Sequence, residues 1–207
     1  FGLRAVPALS ITGTEGVPLT VEPNALVTLP EGGDSTGNDD DRIALLGGTF
    51  DTTGVVPNLG VPYHVKGSID TREGSSVTLT AGTEFIMSAD TDIEFGWNSG
   101  KATIIAVGTE SEPIRFVGAD ETPGFWQGIS VRSNVLSSSR FKYVELGHAG
   151  GGSASGACLE LNAPIPVENC AFFSSSGYGV VANADDPSDY AENNTFRDNE
   201  SGAVGAQ

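Results

Sequence analysis

Between Ser76 and Met87 hydrophobic and polar residues alternate, in "SVTLT" and again in "TEFIM". A period of two marks a strand with one buried face. No stretch of the chain carries apolar residues at the 3.6-residue spacing of a helix, and Gly, Pro, Ser or Asp interrupts each run after a few residues. The pattern predicts an all-β protein. In "SEPIRFVGADETPGFWQGISVRS" two such runs, 114–117 and 126–132, flank an acidic loop. Neither could bury much surface alone, so each must lean on neighbours like itself.

Those neighbours are visible as internal repeats. "SSRFKYVELGHAG", "APIPVENCAFFSSS" and "DYAENNTFRDNES" stack on one another, and each is joined to a Gly-led strand among "WQGISVR", "GACLELN", "GYGVVAN" and "SGAVGAQ". Ile129, Leu159 and Val180 fall in register, as do Val131, Leu161 and Ala182. So do Val144, Cys170 and Asn194, and Leu146, Phe172 and Phe196. A period of roughly 20 to 30 residues is that of one supersecondary unit stacking on the next. A β-sandwich would also consist of short strands, but it predicts hairpins with Asn-Gly or Asp-Gly turns. Neither dipeptide occurs. The expectation is a single domain, 1–207, built as a right-handed parallel β-helix with three sheets. Irregular first coils are expected over 1–60 and regular coils over 61–207.

From about Tyr63 onward the chain resembles the right-handed parallel β-helix repeat proteins of bacterial exteriors, of the pectate-lyase-like solenoid fold. The stretches that carry the likeness are "SSVTLTAGTEF", "ATIIAVGTESEPIRFVGADETPGFWQGISV", "SSSRFKYVELGHAGGG" and "NCAFFSSSGYGV". The resemblance implies three parallel sheets along the coil stack with loops at the corners. It implies no single activity, because the fold also carries polysaccharide lyases and adhesins.

Charge narrows the classes. With 27 acidic against 10 basic residues the net charge is −17, which excludes a phosphate-binding basic face and attraction to anionic lipid. No run reaches the ~18 apolar residues of a membrane span. Phe1 is preceded by no leader, so the reading is a secreted or cell-surface protein whose signal peptide is absent from this chain. Cys158 and Cys170 match no metal motif; on the strand register Cys170 faces inward and Cys158 outward. A disulfide and two separate buried thiols both remain open.

Candidate chemistry is sparse. A lyase needs a base and an acidic cluster on one sheet, whereas the outward positions Gly128, Ser130, Arg132, Cys158, Glu160, Gly179 and Val181 offer one Arg and one Glu. Paired carboxylates at hydrolytic spacing will arise by chance among 27 acids. His64 and His148 have no recognisable Ser or Cys partner, and corner histidines making backbone hydrogen bonds are expected. "GGGSASG", from Gly150 to Gly156, lacks the Lys and helix of a phosphate cradle. In "EGGDSTGNDDDR", Asp34, Asp39, Asp40 and Asp41, with Asn38, could supply oxygen ligands to Ca²⁺, although the EF-hand spacing is absent. Asp185, Asp186 and Asp189 form a similar loop. No cofactor is required. Trp97, in a turn, is the candidate sugar-stacking ring, with Tyr178 as a second; Trp126 reads as corner packing.

The two ends carry the functional expectation. "FGLRAVPALSI" and "NESGAVGAQ" read as uncapped strands that would continue one another as a coil. Open strand edges pair with further strands. Phe1, Leu3, Val6 and Val204 are therefore the candidate self-association residues. The leading expectation is a non-enzymatic extracellular structural solenoid, partnered head to tail with itself or continuing as a longer stalk. The alternatives are a carbohydrate-binding module and, behind it, a polysaccharide lyase or hydrolase.

Overall fold

Each circuit of the chain lays one strand into each of three parallel sheets. The computed structural model describes residues 8–72, 74–97, 101–152, 155–183 and 188–206. β1 (Thr20–Val21) leads into a 3-10 helix, Pro23–Thr28. Five full coils follow. They are β2 (Ile43–Leu45), β3 (Gly48–Phe50) and β4 (Thr53–Val56); β5 (Tyr63–Val65), β6 (Ile69–Thr71) and β7 (Ser76–Leu79); and β8 (Glu84–Met87), β9 (Asp92–Phe95) and β10 (Thr103–Val107). Then come β11 (Ile114–Gly118), β12 (Gly128–Val131) and β13 (Arg140–Lys142), and β14 (Val144–Gly147), β15 (Leu159–Leu161) and β16 (Val167–Glu168). β17 (Ala171–Phe173) and β18 (Tyr178–Ala182) are followed by a helical turn, α1 (Asp189–Glu192), then by β19 (Thr195–Arg197) and β20 (Gly202–Ala206).

Sheet A collects the first strand of each coil in the order β1-β2-β5-β8-β11-β14-β17-β19. Sheet B runs β3-β6-β9-β12-β15-β18-β20 and sheet C β4-β7-β10-β13-β16. Every pairing is parallel, with Ile129 opposite Leu159 and Leu159 opposite Val180, and with Leu146 opposite Phe172 and Phe172 opposite Phe196. This is a single-domain parallel β-helix. Regular coiling begins at Ile43, well before residue 61, because β2, β3 and β4 already pair in register with β5, β6 and β7. The expected boundary at 60 is corrected accordingly. Short three-residue strands with polar corners had hidden the repeat there.

Side chains that alternate inward stack rung upon rung into one core. On sheet A the inner row is Ile43, Tyr63, Phe85, Phe116, Leu146, Phe172 and Phe196. Tyr63 is fully buried, and its hydroxyl donates to the Pro57 carbonyl at 2.7 Å, so no polar atom of the row is stranded. Each large apolar side chain removed from water stabilises by about 1.5–3 kcal/mol.

Both ends of the stack replace a strand with a helical turn. Pro23 opens the 3-10 helix where its missing N–H is harmless. Pro23 and Leu26 are buried over the core, and Val27 packs on Gly54 of β4. A Cβ on Gly54 would lie 2.6 Å from the Val27 Cβ, so only glycine admits this approach. The helix thereby covers the outermost strands of sheets B and C. At the other end α1 stands where sheet C would continue, and the Tyr190 hydroxyl donates to the Ile165 carbonyl at 3.4 Å. β19 and β20 are the last strands of their sheets among the described residues.

Candidate functional site

The outer face of sheet B carries two ion pairs, Arg72 with Asp70 and Arg132 with Glu94, as many as Arg115 makes with Glu84 and Glu145 on sheet A. The central row on sheet B is Thr49, Asp70, Glu94, Ser130, Glu160 and Val181, each opposite the next. Rungs about 4.8 Å apart bring Asp70 beside Glu94, and both side chains are held. Arg132 Nε donates to Glu94 in a close ion pair, while Arg72 Nε donates to Asp70 at 3.2 Å. Ser155 Oγ and Asn162 Nδ2 each donate to Glu160 at 3.2 Å. Asp92, Glu94, Gln127, Gly128, Ser130, Arg132 and Glu160 line a recess of about 230 Å³. The hydrogen bond to Glu94 raises the pKa of Arg132. Sequence reading placed Ser130, Arg132 and Glu160 on this face and missed Glu94 and Asp70. The upstream coils lack the Gly-led strand motif by which the later ones were aligned.

Two of the expected outward positions are corrected. Cys158 is completely buried, its Sγ 3.7 Å from the Leu146 carbonyl oxygen and 3.9 Å from that of Phe173. It precedes β15 at a corner, where strand alternation does not apply. Gly179 is also enclosed, against the ring of Phe196 and the Cβ of Phe172. Cys158 and Cys170 are separate thiols, both buried and both pushed up to about 12 by desolvation.

His64 lies in the outer row of sheet A, with a serine beside it that sequence reading did not find. Ser88 Oγ is 3.2 Å from Nε2, and Lys66 Nζ is 2.9 Å from Nδ1. Lys66 Nζ lies closer to Nδ1 than to Nε2, 2.9 against 3.4 Å; with Nδ1 accepting from Lys66, Nε2 carries the hydrogen and donates to Ser88. That polarity is the reverse of what activates a serine, whose proton must pass to an unprotonated ring nitrogen. Burial, then Lys66 and Arg42, push the imidazole down to about 4, which keeps it neutral near pH 7.

His148 occupies a corner, at φ 64°, and its carbonyl accepts from the Phe125 N–H at 2.9 Å. Its ring stands edge-on to Phe173 with centroids 5.3 Å apart, and the buried Nδ1 has no hydrogen-bond partner. Burial lowers its pKa. Trp126 is fully buried in the same corner and donates from Nε1 to the Gly147 carbonyl at 2.9 Å. The acidic loop that follows Gly118 is thus the outside of a packed corner.

The remaining candidates stand apart from these faces. Trp97 is 45% exposed after β9 and lines neither the recess nor the larger cleft described below. Tyr178 packs its ring on Gly205 of the next coil. Asp34, Asp39, Asp40 and Asp41 share one loop, but three of the four carboxylates are separately engaged. Asp34 accepts from Thr36 and Asp41 from Asn38. Asp40 holds Arg42 with both oxygens, at 2.7 and 2.8 Å, and that contact pulls its pKa to about 2. Among the described residues no group of three or more His, Cys, Asp or Glu side chains comes together as a metal site. Asp185 and Asp186 lie outside the described residues, and Asp189 opens α1. Phe1, Leu3 and Val6 also lie outside them; Val204 is on β20, half-buried opposite Val180.

No protein-family model, curated protein or solved structure matches the chain. The parallel β-helix therefore rests on the strand register itself.

Proposed function

We propose that the chain is a non-enzymatic structural solenoid of the cell exterior, the closing end of a stalk. The observation that carries this reading is the 3-10 helix Pro23–Thr28, which seals the edges of sheets B and C with Leu26 and Val27. Terminal coils of repeat proteins need such covers to stay soluble. A covered end works against the symmetrical head-to-tail stacking that the sequence suggested, since the helix lies over β3 and β4 there. At the other end, β19 and β20 are the last described strands of their sheets and the place where a further coil would join. The net charge of −17 supports a soluble exterior protein and discourages unguided association of its sides. Replacing both Leu26 and Val27 with Ser tests the seal. The variant should associate with rising concentration while the parent stays monomeric, and a variant as monomeric as the parent would refute the sealing role.

A second reading has its own support. The recess of Arg132, Glu94, Glu160, Gln127 and Ser130 presents fixed donors and acceptors in a row suited to sugar hydroxyls. A polysaccharide laid along sheet B would cross these rungs. Loss of polysaccharide retention on Arg132→Gln would favour this binding role, and unchanged retention would remove it.

A further inference from the structure

A cleft larger than the sheet B recess lies on another edge, the corner between sheets C and A. It holds about 550 Å³ and crosses four successive coils. Its floor is two tight corners that turn at Tyr143 and Asn169, both in the left-handed region at φ 50° and 54°. These corners are tied rung to rung by backbone bonds, Ile114 N–H to Tyr143 C=O at 3.1 Å and Asn169 N–H to Asn193 C=O at 2.7 Å. Longer excursions form the two lips: the loop carrying Thr109, Glu110 and Pro113, and the α1 turn with Glu192 and Asn193. Three rung spacings of about 4.8 Å separate the lips by roughly 14 Å.

Some polar groups of the cleft are held, Glu145 by Arg115 at 3.0 Å and the Asn194 amide by the Val167 and Tyr190 carbonyls, and others face it unpaired. Among the described residues the side-chain amides of Asn169 and Asn193 and the Tyr143 hydroxyl make no hydrogen bond, and Glu110 and Glu192 make no ion pair. Amides, a phenol and carboxylates set around an aromatic ring are the groups that bind sugar hydroxyls, with the ring as an apolar platform. The volume falls within the range of ligand sites, about 300–1,000 Å³. The carboxylates of Glu110 and Glu192 repel an acidic ligand, while that of Glu145 is neutralised by Arg115.

We infer that this corner cleft is a binding site for a non-acidic glycan, neutral or amine-bearing, laid across the four coils. It is separate from the sheet B recess and does not depend on the stalk reading. The left-handed corners also make the test clean, since Asn169→Gly keeps the backbone conformation while removing the amide. Tyr143→Asn likewise keeps a residue that tolerates φ > 0 while removing the ring.

Calorimetric titration of the full chain with cellohexaose, chitosan hexamer and a galacturonate hexamer decides the matter. Cellohexaose or chitosan hexamer should bind and the galacturonate should not. Asn169→Gly and Tyr143→Asn should each weaken binding by about tenfold, near 1.4 kcal/mol, with melting temperature and circular dichroism unchanged. Arg42→Gln, in the loop before β2 and in neither the cleft nor the recess, should leave the affinity as it was. Failure of both non-acidic oligosaccharides to bind at millimolar concentration overturns the proposal. So does binding that survives both corner substitutions but is lost in Arg132→Gln.

Discussion

Phe85 and Phe116 lie opposite each other on adjacent coils, their rings 4.8 Å apart and 6° from parallel. That separation matches the spacing of neighbouring strands, about 4.7–4.9 Å. Backbone pairing and side-chain stacking thus impose one repeat, and the row from Ile43 to Phe196 carries it through seven coils. Phe116→Ala removes a ring that is 1% exposed and leaves Phe85 facing a void. Chemical denaturation should show a loss of about 3–5 kcal/mol. A loss below about 1 kcal/mol would mean the rings do not bear on stability.

Gly147 reads as a space-filling glycine, for a reason unrelated to backbone freedom. Its neighbour on the next rung is Phe173, and a Cβ on Gly147 would lie 2.2 Å from that ring. Arg197 covers the same ring from the other side, its guanidinium carbon 4.5 Å from the centroid. Gly147→Ala should therefore destabilise by about 1–3 kcal/mol through overpacking. Adding Phe173→Leu should recover part of that loss in a double-mutant cycle. Strictly additive effects would contradict the contact.

His64 supplies a pH dependence with a defined sign. Its folded pKa of about 4 lies below the ordinary histidine value, about 6.5. The unfolded chain therefore binds more protons between those values, and stability rises with pH across that window. The contribution is fully present above about pH 6.5, falls as the pH drops toward 4, and changes no further below that. Titration of the imidazole by NMR should place its midpoint well under 6, and His64→Gln should flatten this part of the stability profile. A midpoint at or above 6.5 would show that Lys66 and burial do not act on the ring as described.

The aspartate-rich loop makes a prediction about metal. Asp40 is committed to Arg42 and Asp41 to Asn38, so binding Ca²⁺ would first have to break these contacts. The melting temperature should be the same in millimolar Ca²⁺ and in chelator, since a ligand raises it only by favouring the folded state. A rise with Ca²⁺ would require the loop to rearrange around the ion.

The coil register was legible in the sequence wherever inward residues are large and recur with a Gly-led strand. Ile129, Leu159 and Val180 gave the sheet B row directly, and so did Leu146, Phe172 and Phe196 for sheet A. The coils of 43–56 were not legible, since "IAL", "GTF" and "TGVV" are too short for a period to emerge. The 3-10 helix was invisible for a related reason: Pro23 and Leu26 are its only buried residues, too few to mark a helical face. Corners defeated the outward/inward rule at Cys158. The corner cleft was not read from the sequence, because Tyr143 and Asn169 meet Glu110 and Glu192 only through the closure of successive coils. One local signal was available, an asparagine immediately after a strand at Asn169.

The sealed N-terminal face is the claim on which the functional reading turns. Sedimentation of the full chain across rising protein concentration and up to molar salt, followed by electron microscopy of the same samples, tests it most directly. Salt screens the charge of −17, with a Debye length near 3 Å at 1 M, so repulsion would no longer hide an attractive end. The account predicts short rods of constant mass, about 34 Å along the seven rung spacings of sheet A, with no linear growth. Filaments that lengthen with concentration and salt, adding one chain per step, would contradict it.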